Sequence, residues 1–393
     1  MIEEKKLYDL DDITVIPAEQ SKIRHRGEVN PYYGNYLPIF VSPMECVISK
    51  DNFEIYNKNK VIPIIPRTET FEDRLDFCIN KHIWTAFGLS EFVEVFCVDG
   101  LSNFIKIYCH ESDVFGNPCV GKQYRVLIDN ANGHMDEIPE RIREAKKLAI
   151  AYGYDLQIMA GNIANPSAYK VLAEAGADFV RCAIGSGNCC ITASNTATYM
   201  PMASLIDGCK QVKSKYNLSC AIVADGGISS YSRAIKALAL GADYVMIGST
   251  FGKCFESASP FVKADFSHRD VIEGFGLEDL NQMRFDEGIS EEIKKSYIGM
   301  YKPVKTVWGM STRKAQMSIG LAQGKKKEDI KLKTSEGVEK QVNVEYTLHQ
   351  WVENFTDYLR SSMSYCNSEN LSEYIGKPTI MLMSEASKNA INK

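Results

Sequence analysis

Eight short apolar runs, at 36–42, 61–66, 82–87, 124–129, 156–160, 179–183, 221–225 and 244–248, punctuate the first two thirds of this 393-residue chain. They are apolar in succession rather than in alternation, the mark of strands covered on both faces. Between the later runs lie stretches with apolar residues at helical spacing, at 138–152, 166–176, 202–216 and 232–241, each closed by Gly or a polar turn. Strand-helix alternation predicts an α/β fold with a parallel sheet sheathed in helices. Eight repeats favour closure into a (β/α)8 TIM barrel over an open doubly wound sheet. Ala175-Gly176-Ala177-Asp178 and Leu240-Gly241-Ala242-Asp243 each end a helix and launch a strand. Gly176 and Gly241 suit helix C-termini, and this near-repeat reports packing alone.

Composition removes several classes of function. Lys plus Arg number 45 against 50 Asp plus Glu, a formal net charge of −5, which excludes the simplest nucleic-acid binder. Hydrophobic residues at 45% and charged residues at 24% suit a globular domain. No apolar stretch approaches the roughly 18 residues of a membrane span. The start, Met1 to Lys6, lacks the apolar core of a signal peptide, so the expectation is a cytoplasmic protein. Twelve cysteines without a Cys-x-x-Cys pair or Cys/His metal spacing read as reduced thiols, most of them in the core. After the eighth run the periodicity dissolves over 256–340, a charged stretch containing Gly324-Lys325-Lys326-Lys327. We read it as an active-site insertion after strand eight, with a mobile flap at 298–345, inside one catalytic barrel spanning 1–393. The lysine run reads as a solvated charge cluster. Leu348, Trp351, Val352, Phe355, Tyr358 and Leu359 then stripe a helix over 347–364 that should pack on the barrel.

Barrel enzymes take their reacting groups from the C-terminal ends of the strands, and phosphate commonly binds after strands seven and eight. Those loops read Ala224-Asp225-Gly226-Gly227 and Ile247-Gly248-Ser249. Glycine permits close backbone approach to an anion. The loop after strand six, Gly185-Ser186-Gly187-Asn188-Cys189-Cys190-Ile191-Thr192, is too polar and glycine-rich for core. Its thiols read equally as a nucleophile with Thr192 nearby for proton transfer, or as small hydrophobes in a turn.

With these segments in view, the chain resembles the IMP dehydrogenase and GMP reductase family. The resemblance is carried in order by Leu10-Asp11-Asp12-Ile13-Thr14-Val15-Ile16-Pro17, Val41-Ser42-Pro43-Met44, Asp129-Asn130-Ala131-Asn132-Gly133-His134, Ala160-Gly161-Asn162-Ile163, the 185–192 loop, Ala224-Asp225-Gly226-Gly227-Ile228, Val245-Met246-Ile247-Gly248-Ser249, Gly309-Met310-Ser311 and Ser335-Glu336-Gly337. It implies a purine nucleotide, GMP or IMP, whose C2 forms a thioimidate with Cys190 during hydride exchange with NADP or NAD. It further implies that Thr192 and Glu336 handle protons and that Asp225 binds the ribose. Ser42, Gly227, Gly248 and Ser249 would then hold the phosphate, with Asn188 beside it and the Met310 backbone reading the base, and Met44, Gly226 and Gly309 would complete the substrate site. Asp129, Asn130, Ala131 and Asn162 would line the nicotinamide side. Carbonyls of Gly185, Gly187 and Cys190 would hold a potassium-type cation, and the family commonly assembles as homotetramers.

Within that resemblance the departures are informative. Asn188 stands where the family has a phosphate-contacting Ser, and Val307 where it has an aromatic residue. The Pro-Met-Asp signature is Pro43-Met44-Glu45. Arg67 lies in the segment where GMP reductases carry a conspicuous Lys, and a guanidinium holds its proton too firmly to replace an amine in acid-base work. IMP dehydrogenases typically activate water with an Arg-Tyr pair on the flap, yet residues 311–345 hold no such pair and one arginine, Arg313. Nothing between strands two and three has room for an inserted regulatory domain. The expectation is therefore a GMP reductase, with IMP dehydrogenase as the alternative. A nucleotide-binding pseudoenzyme is a third reading, against which Cys190, Thr192 and Glu336 together argue.

Overall fold

The computed structural model describes residues 6–97, 121–267 and 274–391, so the start of the chain at 1–5 lies outside the described residues. All eight expected runs contain strands: β1 (Ile39–Val41), β2 (Ile64–Ile65), β3 (Trp84–Phe87), β4 (Gln123–Asp129), β5 (Asp155–Ile163), β6 (Phe179–Cys182), β7 (Ala221–Asp225) and β8 (Tyr244–Ile247). They form one parallel sheet in the order β1-β8-β7-β6-β5-β4-β3-β2. The Val41 N–H donates to the Ile62 carbonyl and the Ile62 N–H to the Ile39 carbonyl, each at 2.9 Å, joining the two ends. The chain is a (β/α)8 TIM barrel.

Alternate residues on each strand point inward. The barrel interior is filled by Phe40, Ile64, Trp84, Leu127, Met159, Val223 and Met246, with Phe179 and Tyr244 packed against them. Phe40 meets Trp84 and Phe179 edge to face, with ring centroids 5.7 Å apart in both cases. The opposite strand faces bury against the helices. The expected helices form at Glu137–Tyr152, Pro166–Glu174, Met202–Lys215 and Tyr231–Leu240. Gly241 closes the last at a φ of 134°, a conformation that favours glycine. The helix Leu348–Tyr365 buries Leu348, Trp351, Val352, Phe355 and Leu359, and Tyr358, half-exposed at the edge of the stripe, sets its ring 5.2 Å from that of Tyr231.

The expected loss of regular structure over 256–340 is corrected by the fold. Strands β9 (Phe261–Lys263), β10 (Val304–Trp308) and β11 (Glu339–Asn343) form an antiparallel sheet. Helices Leu277–Gln282, Glu291–Tyr301 and Arg313–Ala322 accompany it. Phe255, Phe261, Leu280, Tyr301 and Val344 give this region its own small core. Its strands escaped the periodicity argument because they are short, and β11 is nearly all exposed. The buried Lys305 ammonium donates to the carbonyls of Cys254, Phe255 and Ser257 and to the Ser257 hydroxyl, at 2.7–3.1 Å, and so pins this sheet to the barrel's final loop. Residues Lys325, Lys326 and Lys327 are exposed, as a solvated run should be. Among the described residues Cys46, Cys78, Cys182, Cys189, Cys190, Cys209, Cys220, Cys254 and Cys366 form no disulfide, and no helix is long and apolar enough to cross a membrane.

Candidate active site

Near the C-terminal mouth the inward-facing series changes character. Two residues beyond Leu127, Met159, Phe179 and Val223 come Asp129, Gly161, Arg181 and Asp225, on the same faces of β4 to β7. Gly161 leaves room for its neighbour, since a Cβ there would lie 2.7 Å from the Arg181 Cβ. Arg181 is 6% exposed and donates to Asp129 Oδ1 at 2.7 Å and to Asp225 Oδ2 at 2.9 Å. Burial alone would weaken the Arg181 charge, but the two carboxylates more than offset it and hold its pKa above the ordinary value. Asn162 Nδ2 also donates to Asp225 Oδ2, at 2.7 Å. Three donors thus converge on one oxygen of Asp225, and among the described residues none bonds its Oδ1 at the cavity wall. Sequence reasoning missed Arg181. The available signal was a lone charge inside an apolar strand, which demands buried partners.

A cavity of about 630 Å³ opens above this layer. Cys190 sits on its wall and donates through Sγ to Thr192 Oγ1 at 3.3 Å, and Thr192 Oγ1 donates to Glu336 Oε2 at 2.6 Å. Glu336 is 144 residues from Thr192 and reaches it through backbone pairing. The Ile191 N–H donates to the Glu336 carbonyl at 2.9 Å, and the Val338 N–H to the Cys189 carbonyl at 3.0 Å. On the other side a Cβ at Gly309 would lie 2.8 Å from the Cys189 carbonyl oxygen. Strands β10 and β11 therefore bring the two ends of the 309–338 excursion against the cysteine loop. The paired cysteines divide by environment. Cys189 is 4% exposed and burial pushes its thiol up, while Cys190 is open to the cavity.

One corner of the cavity gathers Ser42, Gly226, Gly227, Gly248, Ser249 and Asn188. The Ser42 N–H donates to the Ile247 carbonyl, and a Cβ at Gly248 would lie 2.6 Å from Met44 Sδ. Gly227 has a φ of 67°, and Arg233 donates to its carbonyl. Met44, Gly309 and Met310 also line the cavity. Asp129, Ala131, Asn162 and, unanticipated, Asn132 line it as well. Asn130 is set apart, because its amide donates to Met135 Sδ at 3.2 Å and closes its own loop. His134 Nε2 likewise accepts from the Ala164 N–H at 3.1 Å. Arg67 also lines the cavity, donates to the Asp129 carbonyl at 3.2 Å and has a buried Nε with no hydrogen-bond partner among the described residues. Glu91 lies 3.7 Å from that Nε, pairs at 2.7 Å with the buried Arg74, and accepts from Gln323 at the end of helix Arg313–Ala322.

The backbone oxygens of Gly185, Gly187 and Cys190 are neutral hard donors, which suit a weakly hydrated monovalent ion. Gly187 already accepts from the Cys190 N–H at 2.9 Å. Among the described residues no group of three or more His, Cys, Asp or Glu side chains has metal-site geometry.

Residues 123–297 match the IMP dehydrogenase / GMP reductase domain family. The chain is 29% identical over 271 residues to a GMP reductase from Streptococcus gordonii, covering 67% of this chain and 76% of that enzyme. It is 27% identical over 340 residues to a GMP reductase from Oceanobacillus iheyensis, covering 83% and 94%. An inosine-5′-monophosphate dehydrogenase from Helicobacter pylori is 33% identical over 172 residues, covering 42% of this chain. The matched part spans 34% of that dehydrogenase's length.

Proposed function

The chain belongs to the IMP dehydrogenase/GMP reductase family, and on that premise we propose that it is a GMP reductase, converting GMP and NADPH to IMP, NADP and ammonia. The observation that carries the reading is the continuous hydrogen-bond chain from Cys190 through Thr192 to Glu336, together with a flap that offers no Arg-Tyr pair to a water molecule. Cys190 is the nucleophile. Its thiol proton leaves along the direction in which the bonds already point, to Thr192 and on to Glu336. Sulfur attacks purine C2, and the same relay returns the proton to the departing amino group, so that thiol and amine exchange for thioimidate and ammonia. The nicotinamide cofactor supplies hydride to C2. Sulfur then leaves as thiolate and takes up one proton to restore the thiol.

The remaining residues bind and orient. Asp225 Oδ1, the oxygen without a partner among the described residues, accepts from the ribose hydroxyls. The glycines at 226, 227 and 248, with Ser42, Ser249 and Asn188, take the phosphate, and Met44, Gly309 and Met310 flank the base. Asp129, Ala131 and Asn162, with Arg67 beside them, would hold the nicotinamide end. Carbonyls of Gly185, Gly187 and Cys190 would hold potassium. Residues 298–345 serve as the flap that delivers Glu336. IMP dehydrogenase is the second reading, favoured by the identity shared with the H. pylori enzyme. Nicotinamide absorbance separates the two. GMP with NADPH should show cofactor oxidation and ammonia release in a 1:1 ratio, and NADH formation from IMP and NAD without the first reaction would overturn the reductase reading.

A further inference from the structure

The phosphate corner departs from the family's pattern at Asn188 and Val307, and the tertiary structure supplies a cation at both departures. Val307 is 1% exposed and packs over Gly252, so it sends no polar atom to the mouth. Its register partner directly across β10 and β11 is Lys340. The long stem of Lys340 carries its ammonium to the Asn188 carbonyl, where Nζ donates at 2.7 Å. Asn188 Nδ2 in turn donates to Ser249 Oγ at 3.3 Å, beside Gly248. Two other cations, Arg233 and Lys253, are neutralised, Arg233 by Asp9 and Asp11 and Lys253 by Glu345. Among the described residues Lys340 forms no ion pair. Its charge also reaches the Cys189 thiol, where it opposes the upward push of burial.

A positive charge hydrogen-bonded to a neutral carbonyl, with no carboxylate of the described residues within 4 Å, suits a dianionic ligand group at the same corner. We propose that Lys340 recognises the 5′-phosphate of the substrate, its formal charge compensating for the departures at Asn188 and Val307. This rests on the purine-nucleotide reading above and adds to it a residue that sets the preference for nucleotide over nucleoside.

Equilibrium titration of wild type, Lys340→Met and Lys340→Arg with IMP and with inosine tests it. Lys340→Met should weaken IMP about tenfold and inosine less than about twofold, Lys340→Arg should stay within about threefold for both, and added salt should narrow the wild-type preference. Equal weakening of IMP and inosine would make Lys340 a loop-positioning residue and overturn the assignment, as would an unchanged IMP affinity. A wild type that binds neither compound overturns the functional reading and this assignment together, whereas wild-type IMP binding that Lys340→Met leaves intact overturns only the role of Lys340.

Discussion

Phe179 and Arg181 lie two residues apart on β6, point the same way into the same barrel, and live in opposite environments. Phe179 packs among Phe40, Trp84 and Tyr244 at centroid distances of 5.1–5.7 Å. Arg181 replaces what would be the next apolar layer and is flanked by Asp129, Asp225 and the glycine at 161. The lower layer stabilises by area and dispersion, tolerant of rearrangement among apolar side chains. The upper layer is stable only if every charge keeps its partner. A barrel can therefore change from scaffold to site within about 7 Å, the rise of two residues along a strand.

The largest effect expected at the upper level is on turnover alone. Cys190→Ala should reduce hydride exchange by at least about 10⁴-fold while nucleotide affinity and the urea midpoint stay near wild type. Retained turnover would remove Cys190 from the chemistry. Glu336→Gln should lower kcat by about 10²- to 10⁴-fold, with KM moving much less, since the relay would lose its proton acceptor. A change confined to KM would instead make Glu336 a binding group.

The next pair of substitutions probes the layers against each other. Arg181→Met leaves two half-buried carboxylates facing one another and should cost about 3 kcal/mol in urea denaturation, with nucleotide affinity falling alongside. Phe179→Ala should cost about 3 kcal/mol and leave the affinity of the folded enzyme unchanged. If both variants lost stability and affinity in the same proportion, the division into scaffold and site would fail.

A smaller, pH-dependent effect lies at Glu91. Burial would raise its carboxyl, but the bidentate Arg74 guanidinium more than offsets this and holds it below the ordinary carboxylate range. A depressed folded-state pKa means that the stability from this pair is complete above the unfolded carboxylate pKa and is lost as pH falls through the folded value. Glu91→Gln should cost about 2–3 kcal/mol at neutral pH and flatten the acid limb of the stability profile. An unaltered acid limb in thermal scans would assign that limb to other carboxylates.

Much of the scaffold was legible in the sequence because buried parallel strands are continuous apolar runs, and all eight were placed within a few residues. The glycine loops after β7 and β8 and the cysteine loop after β6 were legible for a related reason, since polar glycine-rich turns cannot be core. The post-barrel sheet was not. Its strands are short, β11 is solvated, and Lys305 finds its partners in a segment 48–51 residues away. Arg181 sat unread within an expected strand, and Asn130 lay inside a matching motif yet turned toward Met135. For Arg181 the deciding neighbours lie 44 and 52 residues away, whereas Asn130 is turned by a partner only five residues on, which the motif by itself does not reveal.

By itself, the amino-acid sequence determined the period of the fold, the order of its elements and the residue types at the mouth, because hydrophobic periodicity and glycine placement are local properties. Only the tertiary structure decided which groups act together: Glu336 on Thr192, Arg181 between two carboxylates, Lys340 on the carbonyl of Asn188. Hydrogen bonds and ion pairs work over about 3–4 Å, and that proximity exists only once the barrel has closed and the final sheet has brought its hairpin back to the mouth.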